Sequence, residues 1–132
     1  MRKRIQFYLI VASVIVLVDL VASLLSRTFE FDYTNLVWVS RGLYFAAGYF
    51  GCKYFDLLSG VVAALGAGLA DSTVGWAVST LVGPYLPFTQ PTYTLLLISI
   101  VVIIVSAKST FFGFMGALLC KMMKRSSRYV DA

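Results

Sequence analysis

The sequence contains no histidine and few charged residues. Because histidine is the commonest metal ligand and a frequent acid–base catalyst, its absence argues against a haem protein with two histidine ligands and removes the usual catalytic base. Charged residues make up 13% of the chain, and an ordinary soluble domain carries roughly twice that share. Hydrophobic residues make up 60% of the 132 residues. These counts exclude a soluble globular domain and a disordered chain, and they predict a single polytopic helical membrane domain.

Cysteine is also scarce, and its spacing is not that of a metal site. Cys52 and Cys120 lie far apart, within apolar segments, and form no CxxC motif. We therefore interpret both as small buried hydrophobic residues. The sequence contains no HExxH motif, no P-loop and no glycine-rich dinucleotide fingerprint. We predict that the protein is not an enzyme and that it binds neither a metal nor a cofactor.

Four apolar segments are separated by polar or proline-containing breaks. A helix that crosses the ~30 Å hydrocarbon core needs about 20 residues. The predicted spans are residues 5–26, 36–54, 57–82 and 92–108, with a helical extension over 109–124. Three prolines between residues 83 and 92 interrupt the chain before the last span. The predicted fold class is all-α: an integral membrane bundle of four transmembrane helices, in a single domain with a basic C-terminal end.

The last apolar segment is too long for one perpendicular crossing. As a single helix, residues 92–124 would extend about 50 Å, which is well beyond the hydrocarbon core. One alternative is a tilted helix that protrudes from the bilayer. The other is a bend near Lys108 and Ser109, which would lay residues 111–123 along the inner interface. The pattern leaves both alternatives open, but the second half is too short to cross the bilayer again.

Lysine and arginine are concentrated on one predicted side of the membrane. If both termini are cytoplasmic, the inner flanks carry eight basic residues: Arg2, Lys3, Arg4, Lys53, Lys121, Lys124, Arg125 and Arg128. The positive-inside rule therefore predicts a multi-pass protein of the cell inner membrane of a bacterium or archaeon, with both termini cytoplasmic. The first apolar run, of about 22 residues, is longer than the roughly 7–15 residues of a signal-peptide core.

The formal net charge of +5 is typical of contact with anionic lipids. We expect this contact above all at the C-terminal basic cluster, which comprises Lys121, Lys124, Arg125 and Arg128. We do not interpret the charge as a sign of nucleic-acid binding. The bilayer is therefore the first predicted partner.

Small residues recur every four positions along the third span. Gly60, Ala64 and Gly68 form one stripe, and Gly75 lies on a second small stripe beside it. Lipid tails remove the usual hydrophobic drive between helices, so close packing in membranes relies on such residues. We predict that these four are helix-packing residues and that the third span is the central helix. The alternative is a backbone-lined passage or a close ligand contact.

Three charged residues lie inside the predicted spans: Asp19, Arg41 and Asp71. A charge at the middle of a span costs ~2.5–3.5 kcal/mol on insertion scales, so such residues usually face the bundle and find partners. Counted at about 1.5 Å per residue, all three fall in the outer half of the bilayer. We predict that Arg41 bridges the two carboxylates, because a guanidinium group can serve two at once. Ser23 and Ser72 would add hydroxyl groups to this intramembrane polar cluster.

The predicted polar cluster has two interpretations. As a clamp, it would fix the register of the first three helices. As a site, it would bind a cation, a proton or an ionisable substrate. Two acids against one base leave a net negative charge, which would let one carboxylate take up a proton.

In length and number of spans, the chain resembles small four-helix exporters that carry an acidic residue in the first helix. Gly60–Ala70, followed by Asp71, resembles a helix of vitamin-uptake substrate-binding subunits. Both likenesses concern the fold and transfer no residue role. We expect a non-catalytic accessory or structural component of a membrane complex. The alternative is a small-solute transport protein, coupled to ions or protons through the Asp/Arg cluster, that works as a homo-oligomer or with a membrane-protein partner.

Overall fold

The computed structural model describes residues 1–85 and 95–130, and the side chains at 36 and 127–130 are left out of the description. The described residues form helices and no strand, which confirms the all-α prediction. Pro87, Pro91 and the predicted start of the last span at residue 92 lie outside the described residues. The elements in chain order are α1 (Arg2–Phe29), a 3₁₀ turn (Tyr33–Leu36), α2 (Val37–Tyr54), α3 (Leu57–Ala70), a π turn (Asp71–Gly75), α4 (Trp76–Val82) and α5 (Leu95–Val130).

Three stretches of helix are long and apolar enough to cross a membrane: Arg2–Phe29, Leu57–Val82 and Leu95–Ser126. Helix α2 has 18 residues but is less apolar, because it includes two cations and several tyrosines and glycines. Large apolar side chains face outwards along the helices, as Leu17 (58% exposed) and Ile103 (67% exposed) illustrate. An apolar outer surface of this extent is typical of contact with lipid or with another protein. Together these features indicate a membrane protein.

Contacts at the two ends of the bundle show that α1, α2, the stretch from α3 to α4, and α5 alternate in direction. Near the start of α1, Arg4 forms an ion pair of 2.9 Å with Asp56, which precedes α3. At the same end, the last turn of α2 offers the carbonyls of Cys52 and Lys53. They accept hydrogen bonds of 2.7 and 3.1 Å from the ammonium group of Lys124 in α5. We call this the basic end of the bundle.

The opposite end joins the end of α1 to the end of α4. Arg27, in the last turn of α1, donates a hydrogen bond of 2.8 Å through Nη1 to the carbonyl of Val82. A cation at this position also suits the negative end of the α4 dipole. The amide of Tyr33 donates a hydrogen bond of 3.4 Å to the carbonyl of Tyr85, so the two loops at this end are connected.

Asp56 begins α3 at the basic end by capping the helix. Its carboxylate accepts a hydrogen bond of 2.7 Å from the amide of Ser59, as an N-cap aspartate typically does. This hydrogen bond, reinforced by the neighbouring Arg4, holds the pKa of the Asp56 carboxyl below its ordinary value of 3.8. The chain can therefore turn from α2 into α3 within two residues.

Small residues let α3 approach its neighbours at backbone distance. Gly60 lies against the backbone of Gly48 in α2, and Ala64 lies against Gly113 in α5. Gly68 lies against a serine side chain of α5. Helix α3 also packs on α1, so it contacts every other long helix of the bundle. This is the packing that small residues allow in a membrane, where backbones must come close.

Helix α5 is continuous. Its 36 residues correspond to a length of about 54 Å. The helix passes through Lys108 and Ser109 without a break: the hydroxyl of Ser109 bonds to the carbonyl of Ser106 at 2.9 Å, and the side chain of Lys108 is exposed. Of the two alternatives for this segment, the structure has the single long helix and not the bend.

The third predicted span is not a uniform helix, because a π turn over Asp71–Gly75 separates α3 from α4. A π turn holds one residue more than an α turn and occurs frequently at functional sites. Two hydroxyls bond to backbone carbonyls one turn earlier: Ser72 to Gly68 at 2.8 Å and Thr73 to Leu69 at 2.6 Å. A hydropathy pattern does not distinguish this turn from an α turn, so the sequence gives no indication of it.

Candidate functional site

Two carboxyl groups meet inside the bundle, and we call Asp19 and Asp71 the acid pair. Asp19 comes from the middle of α1 and is 5% exposed, whereas Asp71 opens the π turn. Both carboxyls lie beside Gly75 of the π turn. Gly75 makes room for them, because a Cβ atom at this position would overlap the carboxyl of Asp19 and lie 3.4 Å from Oδ1 of Asp71. The structure thus brings together the two acids that the sequence singled out.

Two tyrosine hydroxyls donate hydrogen bonds to the acid pair from outside α1 and the π turn. Tyr44 of α2 donates to Oδ2 of Asp71. Tyr33 of the 3₁₀ turn donates to Oδ1 of Asp19 at 3.4 Å. Because phenol hydroxyls are uncharged donors, they satisfy carboxyl oxygens without neutralising them.

Two serines extend this network towards the end of the bundle opposite the basic end. The hydroxyl of Tyr33 lies 3.2 Å from that of Ser79 in α4, and the hydroxyl of Ser23 in α1 donates to Ser79 at 3.0 Å. Both serines are buried. The chain of hydroxyls therefore ties α1, the 3₁₀ turn and α4 to the acid pair.

One oxygen of the acid pair has no donor. Oδ2 of Asp19 is buried and receives no hydrogen bond within the described part of the chain. It lies at Gly75, beside the Asp71 carboxyl. Two ionised carboxylates offer only acceptors, and their like charges repel in a place of low dielectric constant. A proton shared by the acid pair would supply the missing donor, and a bound cation would supply the missing counter-charge.

Arg41 does not bridge the acid pair, so the structure corrects this prediction. Its guanidinium carbon lies 4.2 Å from the ring centroid of Trp38 and 5.8 Å from that of Phe112, which is a cation–π arrangement. Among the described residues Arg41 forms no ion pair. The reason is its level along α2: Arg41 lies nearly one turn closer to the start of the helix than Tyr44, whose hydroxyl reaches Asp71 instead.

The two serines of the predicted cluster have different surroundings. Ser23 belongs to the hydroxyl network of the acid pair. Ser72 bonds back to a carbonyl of its own helix and lines a small gap towards Leu97 of α5. Ser72 therefore does not join the acid pair, because a carbonyl one turn earlier is the nearer partner for a helical serine.

Three members of the observed network are absent from the sequence prediction: Tyr33, Tyr44 and Ser79. Tyr44 follows Arg41 by three positions, and this helical spacing was an available signal. Tyr33 lies in a short polar connection, where no periodicity indicates the direction of a side chain. Ser79 shares the small stripe of Gly75, which the sequence analysis interprets as packing.

A cavity of about 390 Å³ adjoins the acid pair between α1 and α2. This volume is within the range of roughly 300–1,000 Å³ that is typical of small-molecule sites. Valine and alanine side chains of the two helices form most of the wall, and the acid pair and Tyr33 contribute the carboxyl and phenol groups. Neither lysine nor arginine is among the described residues that line it. The cavity therefore combines apolar walls with an acidic region that has no counter-ion.

The two cysteines meet near the basic end. Cys52 of α2 and Cys120 of α5 are free and buried and pack together with Ala117. Their burial fits the interpretation as small hydrophobic residues. Their contact joins α2 to α5, and no spacing in the sequence indicates it.

Neither a metal cluster nor a relative points to a function. In residues 1–85 and 95–130, no group of three His, Cys, Asp or Glu side chains is placed to hold a metal ion. No protein-family model matches the sequence, and comparisons with the curated proteins and with the solved structures give no match either. What the site does must therefore follow from its own geometry.

Proposed function

We propose that the protein crosses the cell membrane four times, with both termini in the cytoplasm. Three membrane-length helices and the antiparallel course of α2 between them support this topology. Arg4, Lys53 and Lys124 all lie at the basic end, whereas the opposite end carries Arg27 beside Glu30 and Asp32. The positive-inside rule then assigns the basic end to the cytoplasm. Anionic lipids would contact the exposed cations near the end of α5, which include Lys121 and Arg125.

We propose further that the protein binds a small solute and moves it across the membrane in exchange for protons, without chemical catalysis. The observation that supports this role is the donorless Oδ2 of Asp19, buried beside Asp71 at a cavity of about 390 Å³. The groups that face the acid pair are the hydroxyls of Tyr33 and Tyr44, together with the hydroxyl network behind Tyr33. With no base among them, a shared proton and a bound cation are alternative ways to balance the same charge.

The test is solute-driven proton movement in proteoliposomes. Internal pH is followed with a trapped dye while small amines, amino acids and neutral solutes are added in turn. We expect at least one solute to drive proton efflux through the wild-type protein and none to do so through Asp71→Asn. The matched control is Asp56→Asn, which removes the other described aspartate of the α2–α3 region but lies far from the cavity. Equal efflux through Asp71→Asn, with folding verified by gel filtration, would refute the proposed exchange.

A second candidate function is an accessory or structural component of a membrane complex. It is favoured by two apolar hollows beside α1, of about 290 and 360 Å³. The first lies between α1 and α2 and is lined by residues such as Ile10 and Phe50, and the second continues towards Val21 and Leu25. Apolar hollows on a membrane protein fit the side chains of a neighbouring helix.

Extraction from the native membrane in mild detergent separates the two candidates. The particle mass and the co-purifying proteins are measured together. A stoichiometric second protein supports the accessory role, and a monomer or homo-oligomer supports transport.

A further inference from the structure

The geometry points to a ligand class for the cavity: we infer that it takes a protonated primary amine with one positive charge and a short aliphatic body. This inference rests on the proposed function and specifies its solute. Three features of the cavity carry it, namely its charge, its unused hydrogen-bond acceptor and its walls.

Charge selects a cation. The cavity is bordered by both carboxyls of the acid pair. Two arginines at this end of the bundle have other partners, since Arg41 stacks on Trp38 and Arg27 donates to a backbone carbonyl. An anionic ligand would meet two acids and no base. A cation would supply the counter-charge that the described residues do not provide.

The unused acceptor selects a cation that carries N–H groups. Tyr33 and Tyr44 already donate to one oxygen of each carboxyl, whereas Oδ2 of Asp19 has no donor and the residue is 95% buried. A buried acceptor without a hydrogen bond is unfavourable, because it has lost its water and gained no donor in return. This oxygen lies against Gly75, so a primary ammonium, with its three N–H donors, relieves this cost once the Asp19 carboxyl turns the oxygen towards the cavity. A quaternary ammonium has the charge but no N–H, so it would leave the acceptor unpaired.

The walls select a short aliphatic body without a second charge. Val18 and Ala22 face the cavity from α1, and Val37 and Val39 face it from the start of α2. Away from the acid pair, the polar groups on the lining are the neutral hydroxyls of Thr34 and Ser40 and no further carboxylate. A second ammonium group on the same ligand would therefore be desolvated without an opposite charge.

The inference is tested by binding of three ammonium compounds that share a four-carbon chain to the full-length protein in lipid nanodiscs at neutral pH. They are n-butylammonium, butyltrimethylammonium and the diamine putrescine, and affinity is measured by calorimetry and by the shift of the unfolding temperature. We expect n-butylammonium to bind at least tenfold more tightly than either of the others. Asp19→Asn is expected to abolish this binding.

Two further variants keep the test decisive even where Asp19→Asn fails to fold. Ala22→Leu adds bulk to the cavity wall without touching a carboxyl and is expected to weaken n-butylammonium binding at least tenfold. Ala107→Leu makes the same change on an exposed face of α5 and is expected to leave binding unchanged. Equal effects of the two variants would overturn the assignment of the cavity as the binding site.

The possible failures are distinguishable from a failure of the proposed function. Equal affinity for butyltrimethylammonium overturns the N–H requirement, and tighter binding of putrescine overturns the single charge; both leave a cation site in place. Binding of none of the three compounds, together with solute-driven proton efflux that depends on Asp71, overturns the ligand class and retains the exchange. Absence of both binding and efflux refutes the inference and the proposed function together.

Discussion

Substitution of two glycines by alanine should change stability in opposite directions. Gly48 of α2 faces α5, and a Cβ atom there would lie 2.6 Å from the carbonyl carbon of Gly113 and 2.7 Å from its Cα. Carbon atoms in contact need about 3.5–4.0 Å, so the two backbones must separate by about 1 Å. Gly66 of α3 is also helical, but a Cβ atom there meets nothing within 4 Å.

The magnitudes follow from two opposing terms. Alanine is more favourable than glycine inside a helix by about 0.8–1.0 kcal/mol, and this term applies to both positions. Overpacking costs typically about 1–3 kcal/mol, and it applies only at Gly48, where the obstacle is a backbone that cannot rotate away. We therefore expect Gly66→Ala to stabilise the protein by up to about 1 kcal/mol and Gly48→Ala to destabilise it by up to about 2 kcal/mol.

The assay is equilibrium unfolding of both variants and the wild type in mixed micelles, followed by helical circular dichroism. The free energies of unfolding are compared at the same micelle composition. If Gly48→Ala proves as stable as Gly66→Ala, then α2 and α5 do not approach at backbone distance, and the packing described for these helices is wrong.

Three further outcomes concern the basic end and its surroundings. Lys124→Met should lower the free energy of unfolding by about 0.5–1.5 kcal/mol, because two carbonyls at the end of α2 lose their donor; Lys121→Met is the control and should have a smaller effect. The carboxyl of Asp56, which caps α3, has a lowered pKa in the folded protein. Its contribution to folding stability is therefore fully present above the ordinary pKa of 3.8 and is lost as the pH falls from there through the folded-state pKa. Thermal unfolding between neutral and strongly acid pH should accordingly be less pH-dependent in Asp56→Asn than in the wild type. Mild oxidation of the purified protein with diamide should join Cys52 to Cys120 within one chain, seen in mass spectrometry as loss of two alkylation sites; two alkylated thiols after oxidation would contradict their contact.

Those parts of the fold that depend on local pattern were predictable. Hydropathy marks the helical segments, and spacing by four positions marks Gly60, Ala64 and Gly68 as close-packing residues, because both properties belong to a single helix. Which residue each of them meets on a neighbouring helix is not a local property. The contact between Gly48 and Gly113 depends on how far α2 and α5 are shifted along each other, and no residue spacing reports that shift.

The candidate site, too, could be predicted from the sequence only in part. The cost of burying charge identifies Asp19 and Asp71 without a structure, since carboxylates in apolar spans need partners. The same reasoning favours Arg41 as the partner because it considers charge alone. The structure places the phenol of Tyr44 at that position, and a phenol does not stand out in a sequence where aromatic residues are 15% of the chain. Which side chains meet across two helices depends on their positions along the helix axes to within a fraction of a turn. Depths estimated from the sequence are not accurate enough to resolve this.

The π turn between α3 and α4 determines which neighbours the side chains of α4 face, relative to those of α3. Gly68 and Gly75 are seven residues apart and would share one face of a regular α-helix, yet Gly68 meets α5 and Gly75 meets α1. One additional residue turns everything beyond it by about 100°, which lets the two halves serve different neighbours. Conversion of the π turn into an α turn with all of its residues kept would bring Gly68 and Gly75 onto one face and rotate Ser79 away from α1, with the packing of α3 on α2 unchanged. The half of the span nearer the basic end can thus be optimised for packing while the other half is optimised for the acid pair.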